Sequence, residues 1–349
     1  MRRVGRAVLA SLALALSCWP RVAPAAEPAY RQLQEIAIGG DGGWDYLAVD
    51  AAARRLYVSH STRVVVIDLE KNAVIGEIAP TPGVHGIALA PDLGRGFVSN
   101  GQEATVAVFD LKTQEVTARV KTGENPDAVL YESVHHEVYA FNGRSKSATV
   151  FDARSGEVRA TIALAGKPEF AVFDAKLSRV YVNIEDASTL VAIDTEKRAV
   201  VATWPIAPGE EASGLALDPA THHLFVGCSN RLMLMVDAAT GKVLAQVPIG
   251  TGVDANAYDP GTGLAFASSS DGTLTVARAD GLKLSPVQTL VTPPRARTMT
   301  LDPKTHRLYV AAAEFKPPVA GPDGKPQRPA LVPGSFRIVV YARTDAPAP

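Results

Sequence analysis

A stretch beginning at Trp44, "WDYLAVDAAARRLYVSHSTRVVVIDLEKNAVIGEI", is followed about forty residues later by a close relative of itself, "HGIALAPDLGRGFVSNGQEATVAVFDLKTQEVTARV". Each copy passes from a short apolar alternation through a polar turn into a small-aromatic-Val run, then to a second apolar run ending in Asp and a third run. Seven such copies can be superposed. The residue ending the first alternation falls at Asp50, Ala90, Tyr131, Asp174, Asp218, Asp259 and Asp302, spaced 40, 41, 43, 44, 41 and 43 residues apart. A period near forty with several short β-rich runs per unit marks a propeller blade or a solenoid. Helical repeats of similar length are excluded. The runs "LYVSH", "VVVID", "EVYAF", "ATVFD", "RVYVN" and "LFVGC" are short, β-branched and aromatic, without helical spacing of apolar residues.

Each unit supplies four strands, in the first copy roughly Tyr46–Asp50, Leu56–His60, Val64–Asp68 and Ala73–Ile78. Radial packing of such units buries both faces of every sheet and hides most edges. The expected fold is therefore all-β: a seven-bladed propeller of four-stranded blades. The seventh copy, Arg297 to Tyr341, lacks a fourth strand, and "RQLQEIAIGG" near the other end of the chain has the character of the missing one. Pairing it with "FRIVVYAR" would close the ring. The Asp closing each third strand (Asp68, Asp110, Asp152, Asp194, Asp237) is read as a turn former that accepts local backbone amides, not as a catalytic acid. His135–His136, His222–His223 and His306 fall in the turn between strands one and two and are read as solvated turn residues at the end opposite the site.

Residues 1–26 stand apart. "MRRVGR", "AVLASLALALSCW" and "APAAEP" form the basic, apolar and small-residue regions of a secretory signal, too short in its apolar part to span a membrane comfortably. The mature chain is expected in the periplasm or outside the cell, with the propeller at 27–343 and a tail at 344–349. Cleavage lowers Lys+Arg from 35 to 31 against 36 acids, a net −5, and no basic run remains. That balance disfavours nucleic acid as a partner. Cys228 is then the only cysteine, which rules out an intramolecular disulfide or a thiolate metal site. Its place in "LFVGCSN" reads as core packing.

The runs "RLYVSH", "RVYVNI" and "RLYVAA" resemble the YVTN repeat of the YncE-like bacterial β-propellers. The resemblance covers about Glu27 to Arg343 and implies an exported propeller. Members are mostly of ill-defined role, and some are reported to bind single-stranded DNA. The chain is also similar to lactonase-type propellers and to propeller subunits of some quinone-dependent dehydrogenases. Only "RVYVN" comes near the full motif.

In a propeller, residues just before strand one and just after strand two ring one mouth of the central channel. The first set is Asp45, His85, Pro126, Glu169, Ser213, Asp254 and Arg297; the second is His60, Asn100, Asn142, Glu185, Ser229, Ser270 and Glu314. Here the repeat breaks down into varied polar and charged residues, as expected of a site grafted on a regular scaffold. The candidate ligand-binding residues are Trp44, Asp45, His60, His85, Asn100, Asn142, Glu169, Glu185, Asp254, Arg297 and Glu314, with Asp45, His85, Glu169 and Asp254 as a candidate set for a divalent metal. Arg297 suits a carboxylate and Trp44 a flat ligand. A proline-rich insertion at 314–335 enters the last blade on the same face and is expected to cover the mouth.

No G-x-S-x-G elbow, P-loop or G-x-G-x-x-G turn occurs. The expectation is a binding or scaffold protein, monomeric, recognising a small ligand or another exported protein at this mouth. A metal-assisted lactonase-type hydrolase is the alternative, and single-strand DNA binding ranks third.

Overall fold

The computed structural model describes residues 29–319, 327 and 329–345, so the signal segment at 1–26 lies outside the described residues. The seven copies fold into seven four-stranded antiparallel sheets. Their innermost strands are Trp44–Asp50, Val84–Ala90, Pro126–Glu132, Pro168–Asp174, Ala212–Asp218, Val253–Asp259 and Met299–Asp302, in blades 1 to 7. These strands touch in sequence round a ring, and the first meets the seventh. Blade 7 is completed by the N-terminal strand Tyr30–Ala37, antiparallel to Arg337–Arg343, with Tyr30 opposite Arg343 and Ala37 opposite Arg337. The ring closes as expected.

Period-two alternation builds the core. In Arg55–His60, Tyr57 packs toward blade 2, with Ile87, Val98 and Phe109, while Leu56 and Val58 pack toward blade 7, with Tyr309, Ala311 and Ile338. Seven apolar clusters result, one at each seam between neighbouring blades. One aromatic per blade anchors them: Tyr57, Phe97, Tyr139, Tyr181, Phe225, Phe266 and Tyr309 are all at most 1% exposed. Each contributes about 1.5–3 kcal/mol by leaving water. Cys228 is enclosed among them, and burial pushes its thiol up to about 12.

The turns follow the sequence reading. The Oδ1 atoms of Asp68, Asp110, Asp152 and Asp237 accept the amides two and three residues on, at 2.7–3.1 Å. The turn histidines differ from expectation. His222 Nδ1 lies 2.5 Å from Asp174 of blade 4, His306 Nδ1 2.7 Å from Asp259 of blade 6, and both aspartates are buried. Arg54 occupies the same turn position in blade 1 and bonds buried Asp302 of blade 7 at 2.6 Å. His136 reaches Asp92 of blade 2 at 3.2 Å. These side chains clip neighbouring blades together, because the left-handed turn residue that carries them points across the seam. His135 stays within its own turn, on Glu132.

Candidate functional site at the channel mouth

Every innermost strand of blades 1 to 6 slips register at its first residues. The breaks fall between Trp44 and Leu47, Val84 and Ile87, Pro126 and Val129, Pro168 and Ala171, Ala212 and Leu215, and Val253 and Ala255. A bulge adds a residue to one strand and re-aims its side chain. The residues at these bulges are Asp45, His85, Asp127, Glu169, Ser213 and Asp254, one per blade. Five of them, His85 apart, line one cavity of about 370 Å³ together with Tyr46, Lys167, Glu185, Ser229 and Arg297. His85 joins through its bond to Asp45.

Buried polar side chains hold the bulges. Ser59 Oγ accepts the Asp45 amide at 3.0 Å. Ser99 Oγ accepts the Gly86 amide at 2.8 Å and donates to the Asp127 carbonyl at 2.6 Å, joining blade 2 to blade 3. Asn183 does the same from blade 4 to blade 5, donating to the carbonyls of Ser213 and Gly214 at 3.0 and 3.1 Å. Ser268 of blade 6 donates to the Arg297 carbonyl of blade 7.

The charges divide into three groups. His85 Nδ1 is 2.7 Å from Asp45 Oδ2 and 3.9 Å from Asp127 Oδ1. Each of Asp45, His85 and Asp127 offers a ligand atom, and those atoms lie within 4.8 Å of one another. Asp127 Oδ1 is buried and has no hydrogen-bond partner among the described residues. Burial, and then the Asp45 charge, push the Asp127 carboxyl up to about 7, while the bond to Asp45 raises His85. Across the mouth, Lys167 Nζ bonds Glu169 and, at 2.7 Å, Glu185. Burial alone would lower this amine, but the two carboxylates win and hold it well above its ordinary value. Burial and the Asp127 field raise Glu169 in spite of Lys167. Asp254 accepts Thr298 Oγ1 at 3.0 Å and lies 3.5 Å from Arg297 Nε. Below these charges Tyr46 reaches from blade 1 across the channel to Phe170 of blade 4, ring centroids 5.3 Å apart.

The expected site residues therefore separate. Asp45, His85, Glu169, Glu185, Asp254 and Arg297 come together at the mouth. Asp127, one residue beyond the Pro126 of the sequence reading, joins them; the clue was its alignment with Asp45 and His85 once Pro126 is matched to Trp44 and Val84. Of the candidate metal set, Asp45 and His85 are in the three-donor cluster. Glu169 and Asp254 line the same mouth but sit with Lys167 and Arg297, outside that cluster.

His60, Asn100 and Asn142 lie apart from this group. They sit on the second strands, paired with Trp44, Val84 and Pro126 at the start of the first, and none has any exposed surface. Asn142 Nδ2 is spent on Ser147 and Thr149, and Asn100 Nδ2 on Thr105. His60 stacks on Phe336 at 4.4 Å, and neither ring nitrogen has a hydrogen-bond partner among the described residues. Gly40, at φ 79°, closes over it: a Cβ there would come within 3.1 Å of His60 Cε1 and 2.8 Å of the Arg63 guanidinium.

Trp44 and Glu314 belong to a second feature, the root of the 314–335 insertion. Phe315 bridges to Leu331, Lys316 donates to the Ala330 carbonyl at 2.8 Å, and Val332 donates to that of Glu314 at 2.9 Å, so the described ends of the insertion form a ladder. Residues 320–326 and 328 lie outside the described residues. Trp44 stacks on Phe336 at 4.9 Å and meets Phe315 at 6.1 Å. Glu314 is an exposed rim residue, 65% accessible and 4.0 Å from Arg337. A cleft of about 980 Å³ opens between this ladder and the mouth, and Arg297 lines both cavities.

No family model matches the chain, and no curated protein matches it. Among solved structures it is similar to a chain of Kuenenia stuttgartiensis hydrazine synthase, with 16% identity over 78% of this chain and 94% of that one, at a TM-score of 0.68. The likeness is one of fold. Among the described residues no helix is long and apolar enough to cross a membrane.

Proposed function

We propose that this chain is an exported, YncE-like propeller that works as a binding module, taking a divalent cation at the Asp45–His85–Asp127 cluster of its channel mouth. One observation carries this reading: three donors from three adjacent blades converge within 4.8 Å, with one Asp127 oxygen buried and unpartnered. Two carboxylates at that spacing repel, and burial raises the cost of charging both. A divalent cation reverses the sign of that interaction. One imidazole with two carboxylates suits zinc or manganese better than calcium, which takes oxygen ligands. A small ligand or exported protein would bind there through the cation and the surrounding charges. The net −5 of the mature chain supports neither DNA nor RNA as that partner.

The test is the metal content of the protein, purified without chelator or histidine tag, followed by calorimetric titration with Zn²⁺, Mn²⁺ and Ca²⁺. The expected result is near-stoichiometric binding that Asp127→Asn weakens at least tenfold. Absence of binding by the native chain to any of the three would refute the reading.

A second reading, a metal-assisted hydrolase of the lactonase type, draws support from His85 held by Asp45 beside a carboxyl that titrates near neutrality. Such a pair is an acid–base inventory. A lactone screen with metal-loaded protein separates the two: turnover abolished by Asp127→Asn favours the hydrolase, and binding without turnover favours the module.

A further inference from the structure

The cleft beside the mouth has the opposite electrical character. Its wall is built from Trp44, Phe315, Pro318 and Leu331, and its charges are the guanidiniums of Arg295 and Arg297; no carboxylate lines it among the described residues. Arg295 sits over the Phe315 ring at 5.1 Å, and among the described residues no carboxylate pairs with it. Arg297 is half-exposed, its Nε 3.5 Å from Asp254. Two arginines thus flank buried Ala296 and face one cavity whose other lining is the Trp44 and Phe315 rings, Leu331, prolines and glycines, with Ser270 and Gln327 as its neutral polar groups. At about 980 Å³ the cleft is at the upper end of the range for small-molecule sites.

We propose that this cleft binds a small aromatic carboxylate. The carboxylate lies against Arg295 and Arg297, whose planar forks match its geometry, and its flat body lies along Trp44 and Phe315. Neighbouring charge argues for an anion of this kind over a cation. The mouth already collects Asp45, Asp127, Glu169, Glu185 and Asp254, so an amine would be drawn there, whereas the arginine cleft repels it. The site stands independently of the cation at the mouth, although Arg297 touches both cavities.

The test uses tryptophan emission of the full chain, titrated with benzoate, phenylacetate and, as the neutral shape control, benzamide, each with and without EDTA. Saturable changes are expected for both acids, with benzamide at least tenfold weaker. Arg295→Gln and Arg297→Gln should each weaken benzoate about tenfold, and Arg295→Lys should recover part of the loss. Arg31→Gln, which removes one charge from the exposed outer strand, should leave it unchanged. Trp44→Phe should remove the emission signal while calorimetry still detects the acid. No saturable response to either acid, equal binding of benzamide, or indifference to both glutamine variants would each overturn the proposal. So would loss of acid binding in EDTA, which would place the ligand on a mouth cation. Acid binding without any metal binding would retain the cleft and remove the cation reading.

Discussion

Asp127 and Asn142 lie within one strand pair of blade 3, yet the carboxyl opens on the mouth and the amide is wholly enclosed. The bulge between Pro126 and Val129 makes that difference. Ser99 holds the bulge by accepting from Gly86 and donating to Asp127. Ser99→Ala should therefore cost about 1–2 kcal/mol of stability and weaken cation binding several-fold, measured by urea denaturation and calorimetry. His60 gives a pH prediction. Burial, and then Arg63, hold its imidazole down to about 4, so the folded protein binds this proton less readily than the unfolded chain. Stability is fully present above the unfolded value near 6.5 and is lost as pH falls toward about 4. The full loss is on the order of 3 kcal/mol. His60→Phe keeps the stacking on Phe336 and cannot take the proton. Its melting temperature relative to wild type should rise steadily from pH 6.5 to 4; a constant difference would show that His60 does not titrate in that window.

Between elements, ionic clips join the blades at the end away from the mouth. Arg54 has two partners of unequal exposure, Glu70 at 69% and Asp302 at 0%. Glu70→Ala should cost about 0.5 kcal/mol, as exposed pairs do. Arg54→Ala strands a buried carboxylate and should cost about 3 kcal/mol, read as the difference in urea midpoints. The histidine clips illustrate what a linear reading lacks. His222 and Asp174 are 48 residues apart, and their 2.5 Å contact exists only because blade 5 lies against blade 4. Turn residues identical in character to solvated ones become seam residues when the repeat closes on itself.

At the scale of the whole molecule, stability rests on a ring with no free end. Tyr30 of the closing strand inserts between blades 6 and 7, edge-on to Phe266 at 5.2 Å, and its hydroxyl donates to the His306 carbonyl at 3.1 Å. Tyr30→Ala should cost about 3–5 kcal/mol and expose the edge of Arg337–Arg343. A lower melting temperature with concentration-dependent aggregation is the expected result, and an unchanged melting temperature would mean that closure contributes little. The ring itself was legible from residues. The forty-residue period, the aromatic of each second strand and the orphan strand "RQLQEIAIGG" specify seven blades, because each depends only on local periodicity and an unpaired edge. So did the face on which the charges gather, since the repeat position is also an angular position. What tertiary structure alone decided is which of those charges meet. The bulges shift side-chain direction by one residue and select Asp127, while packing on the neighbouring strands and loops encloses His60, Asn100 and Asn142. A one-residue slip in a pleated strand turns a side chain to the opposite face, and hydrogen bonds from buried Ser59, Ser99 and Asn183, in the same or the preceding blade, hold it here.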